Sequence, residues 1–418
     1  MLVIFSTEKC FLHSIYERGD SMSFSLPERV TLKGPNFIRE VFERGVGVEG
    51  FISFGIGNPA PEAIPVEVIE RAFDEVVHSN PMSLLQYGPM QGDAHLAELT
   101  LERLVQTHKM NSEGQGLIIS NGAGQLLGLV PITVLEPGDE VYMDEFTFTS
   151  AINSVRNMGG KAIGIKTDEY GMIPGELEKA AQSGKGKYIY LIPNFQNPTG
   201  ITMPLERRKE IYAIASKYDL FIYEDDPYGE IRFAGEYIPT FKSFDTEDRV
   251  LYAGSYSKTL SAGLRVGFLF GPTKVIEAIQ ALKNNTAGQM PLVTQKVVAK
   301  VLDTIDYDAH LDNVRKVYKM KCEVLLNAFK KYASSKVHLT QPTGGMFAWM
   351  TMPEDVDCDV FFETCMDRNV GIIKCGAFAA DGAGAGHAFR LSYTVPTVEE
   401  ITKGMEILGG LTKEFCGE

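Results

Sequence analysis

Residues 254–267 read GSYSKTLSAGLRVG, with Lys258 among small hydroxyl residues, Arg265 seven positions on and no carboxylate in the stretch. A lysine beside a second cation has its pKa pushed down, which favours the neutral, nucleophilic amine. Arg265 stays protonated and can serve neither as base nor as nucleophile. With the hydroxyls of Ser255 and Ser257 it makes a clamp suited to phosphate. Alone, Lys258 could equally be a solvated surface lysine. The neighbouring loops decide between the two readings.

Around this stretch, short β-rich runs alternate with longer helical patterns, which predicts an α/β domain. Strands are expected at 116–120 (GLIIS), 139–144 (DEVYMD), 187–193 (KYIYLIP), 220–225 (LFIYED) and 249–255 (RVLYAGS). Between the third and fourth, Ile211, Ile214, Ala215 and Tyr218 fall on one face of a helix in PLERRKEIYAIASKY. RVGFLFG (265–271) follows too closely for a helical crossover and is expected to pair antiparallel, giving a mixed sheet. Near residue 305 the pattern changes to a long helix (310–332), TGGMFAWM, a helix near DVFFETCMDRN, HAFRLSYT and a last helix. The expected division is therefore a large domain over 76–305 and a smaller α+β domain over 306–418, with residues 22–75 packing against the smaller one.

Ligands of an open α/β sheet bind beyond the C-terminal ends of its strands. The loops there are SNGAGQ, EFTFTS, NFQNPTG, DDPYGE and YSK. SNGAGQ opens a helix with small residues, so that backbone N–H groups and the positive dipole end face a phosphate, although a structural Gly-rich turn reads the same way. NPTG can be an ordinary turn. Asp225 comes directly off an apolar strand, where a partly buried carboxylate needs a cationic partner. An amine nucleophile, a phosphate clamp and a buried aspartate together point to a Schiff-base cofactor, pyridoxal phosphate.

The bulk composition agrees with an ordinary globular enzyme: 418 residues, 44% hydrophobic and 22% charged. A net charge of −14 with no basic block argues against nucleic acid as a partner, and no metal-ligand spacing is present. The longest apolar run, 117–135, is broken by Asn121, Gln125 and glycines and makes a poor membrane span. Six cysteines without a CxxC pair (Cys10, Cys322, Cys358, Cys365, Cys375 and Cys416) suit a reducing cytoplasm. Residues 1–21 make a weak signal peptide. They are expected to be either upstream sequence read in frame before a start at Met22, or a frayed N-terminal arm.

SNGAGQ, FTF, NPTG, DDPY, SYSKTLSAGLRVG, TGGMFAW and FRLSY occur in the order found in fold-type I aminotransferases of class I/II. Over roughly residues 35 to 415 the chain resembles that family, and within it the branch of 2-aminoadipate and aromatic aminotransferases. The resemblance implies the α/β fold of the type I pyridoxal-phosphate-dependent transferases, a large domain with a mixed, mostly parallel sheet plus a smaller α+β domain. It implies that Lys258 holds the cofactor as a Schiff base and shuttles the substrate proton, that Asp225 pairs with the pyridine nitrogen, and that Tyr228 and Asn197 bond the ring hydroxyl oxygen. Phe148 would stack on the ring. Ser255, Ser257 and Arg265 would hold the phosphate, with backbone groups of Gly122, Ala123 and Gly124. Tyr87 would reach the phosphate of the neighbouring subunit, which makes the enzyme a homodimer. Arg390 would grip the substrate α-carboxylate, with Gly57 lining the pocket and Arg39 helping to choose side chains; Asn197 would face the substrate as well.

The chain also departs from the branch. Ala123-Gly124 stands where Ser-Gln is usual, Cys375 where proline is common and His387 where asparagine is usual; Cys375 is expected to be a packing thiol and His310 to have no catalytic task. The expected function is a cytoplasmic aminotransferase moving an amino group between an L-amino acid and a 2-oxo acid by a ping-pong mechanism. The alternative is a β-lyase or decarboxylase on the same scaffold. Regulators that fuse such a domain to a helix-turn-helix need a basic DNA-binding domain ahead of it, and only about 35 residues precede the resemblance here.

Overall fold

The computed structural model describes residues 37–382 and 386–418. The expectations for residues 1–21, for a start at Met22 and for the packing of residues 22–36 lie outside the described residues. The strand pattern resolves into a seven-stranded sheet: β1 (Gln115–Ser120), β2 (Glu140–Asp144), β3 (Lys161–Ile165), β4 (Gly186–Leu191), β5 (Phe221–Asp225), β6 (Val250–Ser255) and β7 (Gly267–Pro272). Their spatial order is β1-β7-β6-β5-β4-β2-β3. Neighbours from β6 to β3 run parallel, while β7 is antiparallel to both β6 and β1. Gly267, the first residue of β7, therefore lies opposite both Ser255 and Ser120, the last residues of its two neighbours.

The central strands are buried along most of their length, as expected when helices cover both faces. The expected helix after β4 is Leu205–Lys217, with Ile211 and Ala215 buried and Ile214 and Tyr218 packed beside them. On the same helix Arg208 is fully buried. It donates to the carbonyls of Met203, Pro193 and Pro239 and to Asn194 Oδ1 at 2.7 Å, so protein oxygens compensate its buried charge. Strand β3 was not expected. It closes one edge of the sheet, pairs only with β2 and is mostly half-buried, so KAIGI needs no continuous apolar run.

A second sheet holds β8 (His338–Leu339), β9 (Phe347–Thr351), β10 (Ile373–Lys374) and β11 (Ala388–Ser392), in the order β8-β9-β11-β10 and antiparallel throughout. The helix Tyr307–Tyr332 leads into it, started by Asp306, whose side chain accepts from Ala309 N. The last helix, Val398–Phe415, opens with a capping box between Thr397 and Glu400. From the N-terminal side, Ile52–Ser53 pairs parallel with Val370–Gly371, and the helix Phe37–Gly45 packs on β10.

Candidate active site

The loops after β1, β2, β4, β5 and β6 supply most of the site, and β11 of the second sheet supplies the rest. Lys258 follows β6 and is half-buried, with Nζ donating to Gly57 O at 2.9 Å. Burial is the largest force lowering its pKa to about 8, followed by the positive charges of Arg390 and Arg265. The cationic neighbour expected from the sequence thus acts in the expected direction, but it is the smallest of the three causes.

Asp225 ends β5 and is 3% exposed. Its Oδ2 accepts from Tyr190 Oη at 2.7 Å, while Oδ1 is buried without a partner. Burial lifts the carboxyl to about 7; the Tyr190 hydrogen bond opposes the rise and the Asp226 charge adds to it. The second aspartate of DDPY serves the framework, since Asp226 accepts from Asn194 Nδ2 at 3.0 Å and from Tyr252 Oη at 3.2 Å.

Between the ends of β1 and β6 lies a cradle of small residues. Gly122, at φ 70°, precedes the helix Ala123–Val134. Arg265 takes the left-handed conformation (φ 53°, ψ 50°), and its Nη2 donates to Asn121 O at 3.2 Å. A Cβ added at Gly122 would stand 2.6 Å from that Nη2 and would displace the guanidinium, and the backbone at φ 70° favours glycine. Ser255 Oγ accepts from Ser257 N at 3.1 Å, and Ser257 Oγ is buried without a partner. A guanidinium thus lies at a helix N-terminus, with Ser255 and the unpaired Ser257 hydroxyl at the end of a nearby strand, and the donor chemistry of the three fits a phosphate.

Arg390, on β11, is 4% exposed and lies between the rings of Phe347 and Phe378, with its guanidinium carbon 4.5 and 4.8 Å from their centroids. Nη1 donates to Asn197 Oδ1 at 3.1 Å and Nη2 to Gly55 O at 2.6 Å, whereas Nε is buried without a partner. Burial pushes its pKa down to about 10. Asn197 belongs to a loop pinned by Gln196, which donates to Phe146 O at 2.7 Å and accepts from Thr199 N at 2.9 Å. Tyr228 is buried beside them, edge-on to Phe347 at 5.9 Å; burial raises its hydroxyl pKa, and Asn197 opposes the rise.

The remaining expected residues divide. Gly57 crosses Phe347, and a Cβ there would come within 2.9 Å of the ring. Phe148 precedes the helix Thr149–Asn157 and packs half-buried against the core. Tyr87 is 92% exposed on the single chain and shares no hydrogen bond with the cluster. Arg39 lies on the exposed side of the helix Phe37–Gly45, with Nε 2.6 Å from Glu43. Cys375 is buried and its thiol pKa is raised by burial, His387 Nδ1 lies 3.7 Å from Cys358 Sγ, and His310 bonds Thr259 O.

Sequence reasoning missed Tyr190, Gln196, Gly55, Phe347 and Phe378. Tyr190 carried a usable signal: a polar-tipped residue in a buried strand needs a partner, and it lies opposite Tyr223, two residues before Asp225 on the adjacent strand. The two phenylalanines act through an arginine distant in sequence, and no local pattern marks such a pair.

The sequence matches the family model for aminotransferase class I and II over residues 49–408. It is 31% identical to aromatic-amino-acid aminotransferase 1 of Thermococcus litoralis, over 90% of this chain and 91% of that protein. The fold is similar to that of Pyrococcus horikoshii kynurenine aminotransferase in complex with PMP, with a TM-score of 0.90 and 30% identity over 95% of this chain and 98% of the other. It is also similar to the α-aminoadipate aminotransferase of Thermus thermophilus complexed with N-(5′-phosphopyridoxyl)-L-leucine, with a TM-score of 0.84 and 30% identity over 93% and 96% of the two chains.

Proposed function

The chain belongs to the class I and II aminotransferases, and from that premise we propose how its own residues carry out the transfer. It is a pyridoxal-phosphate-dependent transaminase of fold type I, with an amino acid and a 2-oxo acid as substrates. The assignment of residues rests on three buried polar atoms without partners: Ser257 Oγ, Asp225 Oδ1 and Arg390 Nε. Buried polar groups are rarely left unpaired. Each of these three has the chemistry to meet one part of the bound molecules: a phosphate, a protonated ring nitrogen and a carboxylate.

When bound, the cofactor supplies an electron sink for the charge left at Cα by the departing proton. Ser257, Ser255, Arg265 and the backbone of Gly122, Ala123 and Gly124 hold its phosphate. Asp225, kept oriented by Tyr190, would hold the ring nitrogen, Asn197 and Tyr228 would meet the ring oxygen, and Phe148 would cover the ring. Lys258 is its point of attachment. Released from Gly57 O, that amine, with a pKa near 8, can accept the substrate Cα proton and return it close to neutral pH. Arg390 binds the α-carboxylate and so fixes the orientation of the Cα–H bond. Gly57 lines the same pocket, and Arg39 is assigned to side-chain choice. One carboxylate anchor serves donor and acceptor alike, so the two bind in turn, as a ping-pong mechanism requires.

The proposal extends to a homodimer in which the exposed Tyr87 reaches the phosphate of the second subunit, to a cytoplasmic setting, and to a large domain over 76–305 beside a small one over 306–418, with the described part of residues 22–75 belonging to the smaller one. Free Cys322, Cys358, Cys365, Cys375 and Cys416 support the reducing compartment. No helix among the described residues is long and apolar enough to cross a membrane. A panel of L-amino acids, each incubated with and without a 2-oxo acid, tests the reading. Product oxo acid that stops near one equivalent per enzyme without the acceptor and turns over with it supports the reading; ammonia released in turnover without the acceptor would replace it with lyase chemistry.

A further inference from the structure

Residues 54–62, FGIGNPAPE, form an irregular segment between the strand Ile52–Ser53 and the 3-10 turn Pro61–Ala63. Towards the site this segment presents two carbonyls, one to each site cation: Gly55 O accepts from Arg390 Nη2 at 2.6 Å and Gly57 O from Lys258 Nζ at 2.9 Å. Its other side is held by a buried group of polar side chains. Asn58 O accepts from Thr394 Oγ1 at 2.6 Å, and Ala60 N donates to Tyr318 Oη at 3.2 Å. Lys321 Nζ lies 2.7 Å from Glu62 Oε1 and donates to Thr394 O at 2.7 Å.

Lys321 is 1% exposed, and the carboxylate it meets is itself half open to solvent. Burying an ammonium costs several kcal/mol, and a pair with one wet partner recovers only part of that. An apolar residue would fill the position at less cost. What the charge adds is a join: it ties the far end of the segment, at Glu62, to Thr394, which follows the strand that carries Arg390. Tyr318, one helical turn before Lys321 on Tyr307–Tyr332, holds the middle of the segment at Ala60.

We infer that Lys321, with Tyr318 and Thr394, is a positioning residue: by clamping the back of the 54–62 segment it sets where the Gly55 and Gly57 carbonyls hold Arg390 and Lys258. The inference rests on the reading of Arg390 as the carboxylate anchor. Displacing a binding group by about 1 Å can cost on the order of 10²-fold in rate, so a loosened segment acts on substrate binding well before the fold is lost. Because Arg390 serves both substrates, the effect falls on donor and acceptor together.

The test compares Lys321→Met, Tyr318→Phe and Arg390→Lys in the full-length holoenzyme. The readouts are KM for the amino acid, KM for the 2-oxo acid, kcat, melting temperature, and calorimetric affinity for a non-reacting aliphatic carboxylate such as 4-methylvalerate. K321M is expected to raise both KM values and to weaken carboxylate binding by roughly tenfold each, with a smaller change in kcat. Y318F, which removes one hydroxyl and leaves the ring, is expected to move the same constants in the same direction, and it carries the test alone if K321M does not fold. A lowered melting temperature with KM values and carboxylate affinity unchanged would make the clamp purely structural and overturn the inference. R390K with both KM values unchanged would instead overturn the carboxylate reading, and the inference would fall with it.

Discussion

Tyr190 Oη donates to Asp225 Oδ2 at 2.7 Å, and the other oxygen of that buried carboxylate has no partner. One oxygen is pinned so that the other points in a fixed direction, and the tyrosine also offsets part of the burial that raises the carboxyl pKa. Tyr190→Phe therefore frees the carboxylate to rotate and drives its pKa higher. A hydrogen bond to a charged group contributes about 1.5–3 kcal/mol, so cofactor affinity should fall by roughly 10- to 100-fold. Titration of the apoprotein with pyridoxal phosphate measures this, and an unchanged affinity would refute the orienting role.

Asp225 also leaves a signature in the pH dependence of stability. Its folded pKa of about 7 lies above the ordinary aspartate value of 3.8, so between these values the folded chain holds a proton that the unfolded chain gives up. Apoprotein stability should therefore fall as pH rises from near 4 to near 7, through this group. Asp225→Asn removes the penalty: thermal melts of the apoprotein should show the variant more stable at pH 8 and the difference gone near pH 4. Turnover of the loaded enzyme should fall on the order of 10²- to 10³-fold, because a charge placed for the reaction is lost.

Lys258 has the opposite chemistry and its own pH window. Its folded pKa of about 8 lies below the ordinary lysine value of 10.5, so the folded chain resists protonation that the unfolded chain accepts. The resulting penalty is complete below pH 8 and fades as pH rises towards 10.5. Lys258→Met should raise the melting temperature of the apoprotein at pH 7, with a smaller gain at pH 10. It should also abolish transamination, and a variant that still turned over normally would contradict the assignment.

Ser257 distinguishes phosphate binding from ring binding. Ser257→Ala should weaken pyridoxal phosphate by about tenfold, the effect of one hydrogen bond to a charged group, and leave pyridoxal without its phosphate unaffected. Equal losses for both ligands would place the hydroxyl elsewhere. Gly122→Ala should do more harm, since the new Cβ meets Arg265 Nη2 and the backbone sits at φ 70°.

The sequence made the sheet legible because its inner strands are buried on both faces and end in unusual loops; β3, paired on one side only, left no such trace. Lys258, Arg265 and Asp225 could be read from charge and strand ends, since an unusual residue type at a strand end is a local signal. Arg390, Asn197 and Tyr228 came only from the resemblance, because their meaning depends on partners far along the chain: Arg390 meets Asn197 across 193 positions. The aromatic walls around Arg390 and the Gly55 and Gly57 carbonyls were invisible for the same reason. A backbone oxygen carries no residue identity, and a phenylalanine in a strand reads as core.

The reversed strand β7 has a consequence for the phosphate cradle. Because Gly267 sits between Ser120 and Ser255, both halves of the phosphate cradle are fixed by ladder pairing and not by the helices that link the strands. A Cβ at Gly267 would come within 2.7 Å of Ala123 N and Gly122 C, so this junction has no tolerance. The junction is therefore a closed joint: a side chain at Gly267 would push apart the two strand ends that meet there.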